Sequence, residues 1–587
     1  MPIVAQSTET TDWVSRFADE VIEESERRAP GAKDSGATAP VVVASGLSPS
    51  GPIHLGNLRE VMTPHLVADE IRRRGYTVRH LISWDDYDRY RKVPAGVAGV
   101  DESWAEHIGK PLTSVPAPAG SAYPNWAEHF KAAMTAALDE LGVEYDGISQ
   151  TEQYTAGTYR EQILFAMKHR GDIDAILDQY RTKKAPAKKQ QGQKPVDEAE
   201  LEAAEGSGAA AEDDGSSTSG YYPYKPYCGQ CEKDLTTVTA YDDTTTELSY
   251  TCSACGFTET VLLSEFNRGK LVWKVDWPMR WAYEGVVFEP SGVDHSSPGS
   301  SFQVGGQIVG IFGGKQPIGP MYAFVGISGM AKMSSSKGGV PTPADALQIM
   351  EPQLLRWLYA RRRPNQSFKI AFDQEIQRLY DEWDKLAGKV ADGSVLAADA
   401  AAYTRAVGTA AGDLPRTPRP MAYRTLASVA DITAGAEDQT LRILSELDPE
   451  NPLTSLDEVR PRLDKAETWI NTQVPAEERT VVRDEPDVEL LKSLDDQGRE
   501  SLRLLLDGLE RNWSLDGLTH LVYGVPKVQA GFSADATAKE LPAEIKVAQR
   551  TFFARLYHLL VGRDTGPRLP TLLLAVGQDR VRKLLSA

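Results

Sequence analysis

The stretch that most constrains the fold is Gly46-Leu47-Ser48-Pro49-Ser50-Gly51-Pro52-Ile53-His54-Leu55-Gly56-Asn57. It follows the apolar run Val41 to Ala44, which reads as a buried parallel strand, and precedes Leu58-Arg59-Glu60-Val61-Met62, whose apolar spacing is helical. Strand, glycine-rich turn and helix start together describe a nucleotide site. Glycines let the backbone approach phosphate, and a helix N-terminus offers unpaired N–H groups and the positive end of its dipole. The spacing is neither that of a G-x-x-x-x-G-K-[ST] loop nor that of G-x-G-x-x-G. His54 lies in the turn, two residues before Gly56, where an imidazole N–H can reach a phosphate oxygen. On these residues alone, a βα turn with an incidental histidine fits as well.

A second stretch, Ala331-Lys332-Met333-Ser334-Ser335-Ser336-Lys337-Gly338-Gly339, puts two lysines and three hydroxyls in a glycine-ended loop. A helix start follows, with Thr342 as N-cap, Pro343 at the first helical position and Asp345 nearly completing a capping box. A cationic loop suits the charge that builds on a pyrophosphate leaving group, although a lysine-serine loop is more often plain solvated surface. As a pair, in this order, the two stretches resemble the HIGH and KMSKS signatures of class I aminoacyl-tRNA synthetases. Together with Trp84-Asp85-Asp86-Tyr87-Asp88-Arg89 and Trp273-Lys274-Val275-Asp276-Trp277-Pro278, they resemble the archaeal-type, class I lysyl-tRNA synthetases. The resemblance covers nearly the whole chain outside one insert and the N-terminus. Two positions depart from it: Asn57 replaces the final histidine of the first signature, and Ser335 stands fourth in the second.

The resemblance implies an α/β core of the class I synthetase, Rossmann-like type. That core is a doubly wound parallel sheet with a zinc-ribbon insertion, followed by an all-α C-terminal anticodon-binding region. It implies activation of L-lysine by ATP with Mg2+, then transfer to tRNA(Lys). Carried onto this chain, the ATP site is Pro49, Ser50, Gly51, His54, Gly56, Asn57, Lys332, Met333, Ser334, Ser335, Ser336 and Lys337, with His54, Asn57, Lys332 and Lys337 as catalytic residues. The rival readings are a class I synthetase for another amino acid, a non-translational nucleotidyltransferase, and a tRNA-binding protein without catalysis.

Length and charge agree with this reading. A chain of 587 residues is too long for one core and suggests three or four domains. A formal charge of −19 argues against a broadly basic, nucleic-acid-coated surface, but leaves room for a local basic channel. Neither a signal-peptide pattern nor a bilayer-length apolar run is present, so a cytoplasmic protein without a membrane partner is expected, as a monomer.

Taken in order, residues 1–30 give an N-terminal amphipathic helix with Trp13, Phe17, Val21 and Ile22 on one face, and 31–180 the first half of the catalytic domain. Within it, Thr63-Pro64 predicts a helix break, with a second segment from Pro64 to Arg74 ended by Gly75. Tyr76 to Ser83 reads as a strand, and Asp85, Asp86 and Asp88 fall past its C-terminal end, the ligand edge of a doubly wound sheet. Helices are predicted at Trp126 to Leu141 and Thr158 to Tyr180. Residues 181–220 are rich in Lys, Gln, Ala, acid and Ser, and too poor in large apolar residues to offset the entropy of ordering, which predicts a disordered insert.

Residues 221–265 hold the only cysteines of the chain, Cys228, Cys231, Cys252 and Cys255, in a C-x2-C, x20, C-x2-C pattern. That spacing is a zinc-ribbon signature, and four thiolates leave no open position for water, so a structural Zn2+ is expected. Residues 266–390 form the second catalytic half: Leu271 to Trp277 as a strand, Ser301 to Gly313 as a helix, and Tyr322 to Ile327 as a strand of the same sheet leading to the lysine loop. Residues 391–587 read as the α-helical anticodon-binding domain. Arg361-Arg362-Arg363 ahead of it, and Arg550, Arg563, Arg568, Arg580, Arg582 and Lys583 within it, are the candidate phosphate contacts, with a helical oligomerisation module as the alternative.

A lysine side chain needs aromatic walls around its stem and an anionic end for its ammonium. The candidates are Trp273, Trp277, His295 and Tyr322 for walls, Asp276 or the Asp85-Asp86-Asp88 group for charge, and Gly46 with Ser48 for the backbone. A glutamate pocket would end in an arginine, and only Arg89 and Arg280 lie among these residues.

Overall fold

The apolar run and the turn after it fold as their pattern dictates. Val41–Leu47 forms strand β1, and Val78–Trp84 (β2) and Asp146–Ser149 (β3) pair with it in parallel, in the order β1-β2-β3. On the free side of β1, Val43 bridges Phe288 and Phe288 bridges Ile318, both in parallel. The order across the sheet is therefore β3, β2, β1, then Phe288, then Ile318. It reverses between β1 and Phe288, and in an open α/β sheet that reversal leaves a crevice at the carboxyl ends of the strands. The computed structural model describes residues 12–28, 39–181, 215–217, 220–293, 300–328, 340–537 and 541–586. Lys332, Met333, Ser334, Ser335, Ser336, Lys337, His295 and most of the 181–220 insert lie outside them. The described end of that insert is paired, Ser216–Ser217 against Gly220–Tyr221.

Helix α1 (Trp13–Arg28) buries Trp13, Val14, Phe17, Ala18 and Val21, as its amphipathic pattern predicts. Helix α2 runs unbroken from Leu55 to Arg73 with Pro64 inside it, which corrects the predicted break. Proline deprives the Glu60 carbonyl of its helical donor. Ser45 of β1 supplies a substitute, its Oγ–H donating to Glu60 O at 3.1 Å. The helix Trp126–Glu140 (α3) follows prediction, whereas 158–180 forms two helices, Arg160–Lys168 and Arg170–Arg181.

The predicted strand at Leu271 to Trp277 is a second correction. Only Gly269–Leu271 is extended, antiparallel to Tyr224–Pro226, and Trp273–Glu284 is helix α4, ended by Gly285 at φ +67. Trp273, Trp277 and Trp281 are four residues apart, a helical period that puts all three on one face. Helix α5 (Ser301–Ile311) approaches that face closely: a Cβ at Gly305 would stand 2.9 Å from the Trp281 ring.

The cysteine region is a three-stranded antiparallel sheet, β4 (Thr236–Tyr241), β5 (Glu247–Cys252) and β6 (Thr258–Leu262). Val325–Ile327 (β7), which precedes the lysine loop, pairs in parallel with Phe368–Ile370 (β8). Among the described residues these two form a sheet of their own, whereas Met321–Tyr322 pairs in parallel with Ser291–Gly292, just past the Phe288–Ile318 bridge, so of the expected strand Tyr322 to Ile327 only its start continues the β1 sheet.

The chain divides into two compact units, 1–347 with 352–370 and 389–414, and 348–351 with 371–388 and 415–587. The second contains only helices among its described residues. One of its cores gathers Leu505, Leu518, Val522, Leu556, Leu559 and Leu573. Its three segments meet at Arg462, which donates to Glu351 at 2.7 Å and to both oxygens of Asp384 at 2.9 Å, with its guanidinium over the Tyr380 ring. No helix among the described residues is long and apolar enough to cross a membrane.

Candidate active site

The first signature closes on itself at the start of α2. His54 is the N-cap: its Nδ1 accepts from Gly56 N at 3.0 Å, while Asn57 Oδ1 accepts from His54 N at 3.2 Å, completing a capping box. The remaining first-turn amides are also engaged, Leu55 N by Pro341 O and Asn57 N by His54 O. The expectation of unpaired N–H groups for phosphate is thus corrected. What this helix end offers an anion is its dipole, the Asn57 amide NH2 and the imidazole. Because Nδ1 is an acceptor, the imidazole proton sits on Nε2, and burial holds the His54 pKa down at about 4. At neutral pH His54 is therefore a neutral hydrogen-bond donor.

One and a half turns further along α2 stands Glu60, a residue that sequence reasoning passed over. Its Oε1 accepts from Gly46 N at 3.3 Å and its Oε2 from the Tyr322 hydroxyl at 3.0 Å. Two of the residues assigned from sequence to the amino-acid pocket thus converge on it. Burial, with Glu289 and Asp85 nearby, raises its pKa to about 8.

The crevice beside β1 is lined by Gly46, Asp85, Trp273, Trp277, Trp281 and Glu289 among others. Asp85 follows β2 and receives Arg280 Nη1 at 2.9 Å. Asp86 is buried under Lys131, Ser149 and the Thr151 amide, and Asp88 binds Lys270, so Asp85 alone of the three lines the cavity. Asp276, the other charge candidate, is fully buried and does not line it. Its Oδ1 accepts from the Tyr154 hydroxyl at 2.5 Å, and Oδ2 lies 3.3 Å from Arg280 and 3.6 Å from Lys270. Its charge is balanced inside the protein by those two cations, and it meets the crevice only through Arg280, which lines it. Ser48 and Ser50 are exposed on the turn, and Pro49 and Gly51 are buried beneath it.

The four cysteine sulfurs lie within 4.8 Å of one another, with Cys228 to Cys255 at 3.6 Å and Cys231 to Cys252 at 3.7 Å. Those gaps are too long for a disulfide, and close to the ~3.8 Å edge of a tetrahedron with ~2.3 Å metal–sulfur bonds. Gly256, at φ +75, makes the turn behind the second pair. The residues fit a tetrahedral metal ion.

The family described as tRNA synthetases class I (K) matches residues 11–411. The chain belongs to that family. It is 86% identical over 586 residues, all of both chains, to a lysine–tRNA ligase of Streptomyces coelicolor. It is 32% identical to the lysine–tRNA ligase of Thermococcus kodakarensis, covering 98% of this chain and 99% of that one. Among solved structures, a glutamate tRNA ligase from Elizabethkingia meningosepticum aligns over 93% of this chain and 98% of its own, with a TM-score of 0.41 and 12% identity. The fold class expected from sequence, a parallel α/β core with an all-helical C-terminal region, is the one observed.

Of the cations assigned to tRNA, Arg563 donates to Glu477 O, Arg580 binds Asp484 and Lys583 binds Glu485. Arg550 and Arg568 are exposed.

Proposed function

We infer that the chain activates L-lysine with ATP and transfers it to tRNA(Lys) for translation in the cytoplasm. The lysine carboxylate attacks the α-phosphorus of ATP and pyrophosphate leaves. A terminal ribose hydroxyl of the tRNA then attacks the lysyl carbonyl and AMP leaves. What carries the reading is that one rigid helix, α2, bears His54 at its N-terminus and Glu60 beside Gly46 and Tyr322. Phosphate and ammonium recognition thereby share one frame, which suits a reaction that depends on positioning and fixed charge more than on covalent catalysis.

In this reading His54 Nε2–H and Asn57 NH2 bind phosphate oxygens, and Lys332 and Lys337 stabilise the charge on departing pyrophosphate. Magnesium accompanies ATP. Gly46 and Ser48 admit the lysine backbone, Trp273, Trp277, His295 and Tyr322 border the stem, and Glu60 takes the ammonium in place of Asp276. The four cysteines hold a structural Zn2+, the helical unit binds the anticodon stem, and the enzyme works as a monomer.

The test is ATP–pyrophosphate exchange with lysine, arginine and glutamate, with and without tRNA. Lysine is expected to be preferred by at least ~100-fold, a ratio that pocket size and polar matching can reach. Preference for another amino acid, or no exchange with any, refutes the reading.

A further inference from the structure

The carboxylate of Glu289 sits where the sheet order reverses. It immediately follows Phe288, the bridge next to β1, and lines the crevice opposite Gly46. It is 5% exposed, and both of its oxygens are used: Oε1 accepts from Trp277 Nε1 at 2.9 Å and Oε2 from Trp281 Nε1 at 2.6 Å. Among the described residues it forms no ion pair. Its only direct donors there are the two indoles, which stand four apart on α4.

Trp277 in turn stacks on Trp273, with centroids 5.2 Å apart and planes at 17°, and tilts against Trp281 at 4.8 Å. A buried indole N–H needs an acceptor, and an indole has one donor, so its acceptor fixes how the ring is turned about its Cβ. A single carboxylate holding two such donors therefore sets the orientation of both rings, and the stack passes that orientation to Trp273. A glutamine in its place would present one acceptor and one donor group, and the donor would oppose an indole N–H. Gly305, with no room for a Cβ, closes off the other side of Trp281. The wall is thus held from behind by α5 and from the crevice floor by Glu289.

We propose that Glu289 is a positioning residue of the amino-acid pocket, acting through Trp277 and Trp281 to set the aromatic wall against which the substrate's apolar stem lies. This rests on the reading of the crevice as the lysine pocket. A wall misaligned by the loss of Glu289 affects the amino acid and leaves the nucleotide end of α2 untouched.

The experiment uses the full chain in ATP–pyrophosphate exchange. In Glu289→Gln the KM for lysine should rise by about tenfold, the weight of one charge-assisted hydrogen bond. The KM for ATP and kcat should stay within about threefold of the parent. Glu289→Asp, one methylene shorter and able to reach only one indole, should lie between. In a Trp277→Phe/Trp281→Phe background, where the donors are gone, adding Glu289→Gln should change the lysine KM no further. Equal rises in both KM values, a loss of kcat alone, or full additivity in that background would overturn the proposal in favour of a merely structural carboxylate. If Glu289→Gln does not fold, Trp281→Phe, which removes one donor and keeps the carboxylate, must raise the lysine KM by severalfold, and an unchanged KM overturns the proposal. If the parent enzyme prefers another amino acid, the lysine reading fails by itself. The same KM split measured with that amino acid then decides the role of Glu289.

Discussion

As the proposed partner of the lysine ammonium, Glu60 should make lysine binding sensitive to pH. Its carboxyl is raised to about 8, chiefly by burial and secondarily by Glu289 and Asp85, while Tyr322 and Gly46 N favour the ionised form. Because the folded pKa exceeds the ordinary value of 4.5, the ligand-free protein binds an extra proton between about pH 4.5 and 8, and loses stability as pH rises through that window. A lysine ammonium reverses this, since only the carboxylate form pairs with it. With a pKa of about 8, the ionised fraction is about one tenth at pH 7 and about one half at pH 8. The lysine KM should therefore fall about ninefold from pH 6 to 7 and about fivefold from pH 7 to 8. The KM for ATP should stay flat, because His54, at about 4, is already neutral throughout that range. Calorimetry in buffers of different ionisation enthalpy should find close to one proton released per lysine bound at pH 7. Asp85 also has a raised pKa, opposed by Arg280, so Glu60→Gln is the necessary control. That variant should bind lysine weakly and lose the steep pH dependence. A flat lysine KM in the parent, or the same slope in Glu60→Gln, would refute the reasoning.

The other predictions concern separate parts of the chain. His54→Ala should lower the exchange rate on the order of a hundredfold, the usual cost of one transition-state donor, and leave the melting temperature within a few degrees, as calorimetry would show. Cys228→Ser should release the metal and destabilise the ribbon, read by metal analysis and limited proteolysis; a fully stable variant without metal would defeat the zinc assignment. Ser45→Ala should lower stability by about 1–3 kcal/mol in urea unfolding, because the Glu60 carbonyl loses its donor. Affinity for tRNA should drop steeply with salt, and Arg550→Ala or Arg568→Ala should reduce the slope by about one each, measured by filter binding.

The parts of this site legible in the sequence are those whose signals are local. Strand, turn and helix start lie within Val41 to Met62, and the cysteine spacing by itself nearly specifies the tetrahedron the sulfurs form. Glu60 and Glu289 were missed because nothing adjacent marks them. The one hint is a carboxylate set in an apolar run, Glu60 before Val61-Met62 and Glu289 after Val286-Val287-Phe288. Glu60 acquires its role from Tyr322, far along the chain, and Glu289 from two indoles that turn toward it only because Trp273–Glu284 is a helix rather than the strand read from sequence. The partners of Asp276 were hidden for a different reason. Read as a strand residue it faces an unknown neighbour, whereas read as a helix residue it has Arg280 four positions on, a pairing visible in the sequence once the period of Trp273, Trp277 and Trp281 is recognised.

Pro64 shows how a local violation can serve the site. A proline in the interior of α2 leaves the carbonyl of Glu60 without its helical donor, and a buried carbonyl in that condition is costly. The fold answers with Ser45, whose Oγ–H donates to that carbonyl and whose oxygen also lies 2.9 Å from His80 Nε2. Burial keeps His80 neutral, with its pKa lowered to about 3, and the arrangement holds across the working pH range. The next residue along β1, Gly46, donates its amide to the side chain of the same glutamate. Backbone and carboxylate of Glu60 are therefore both tied to consecutive residues at the end of β1. A helix without the proline would satisfy that carbonyl internally and leave Glu60 tied to β1 through its carboxylate alone. The proline is what commits α2, and with it His54 at its tip, to a fixed register against the strand that opens the crevice.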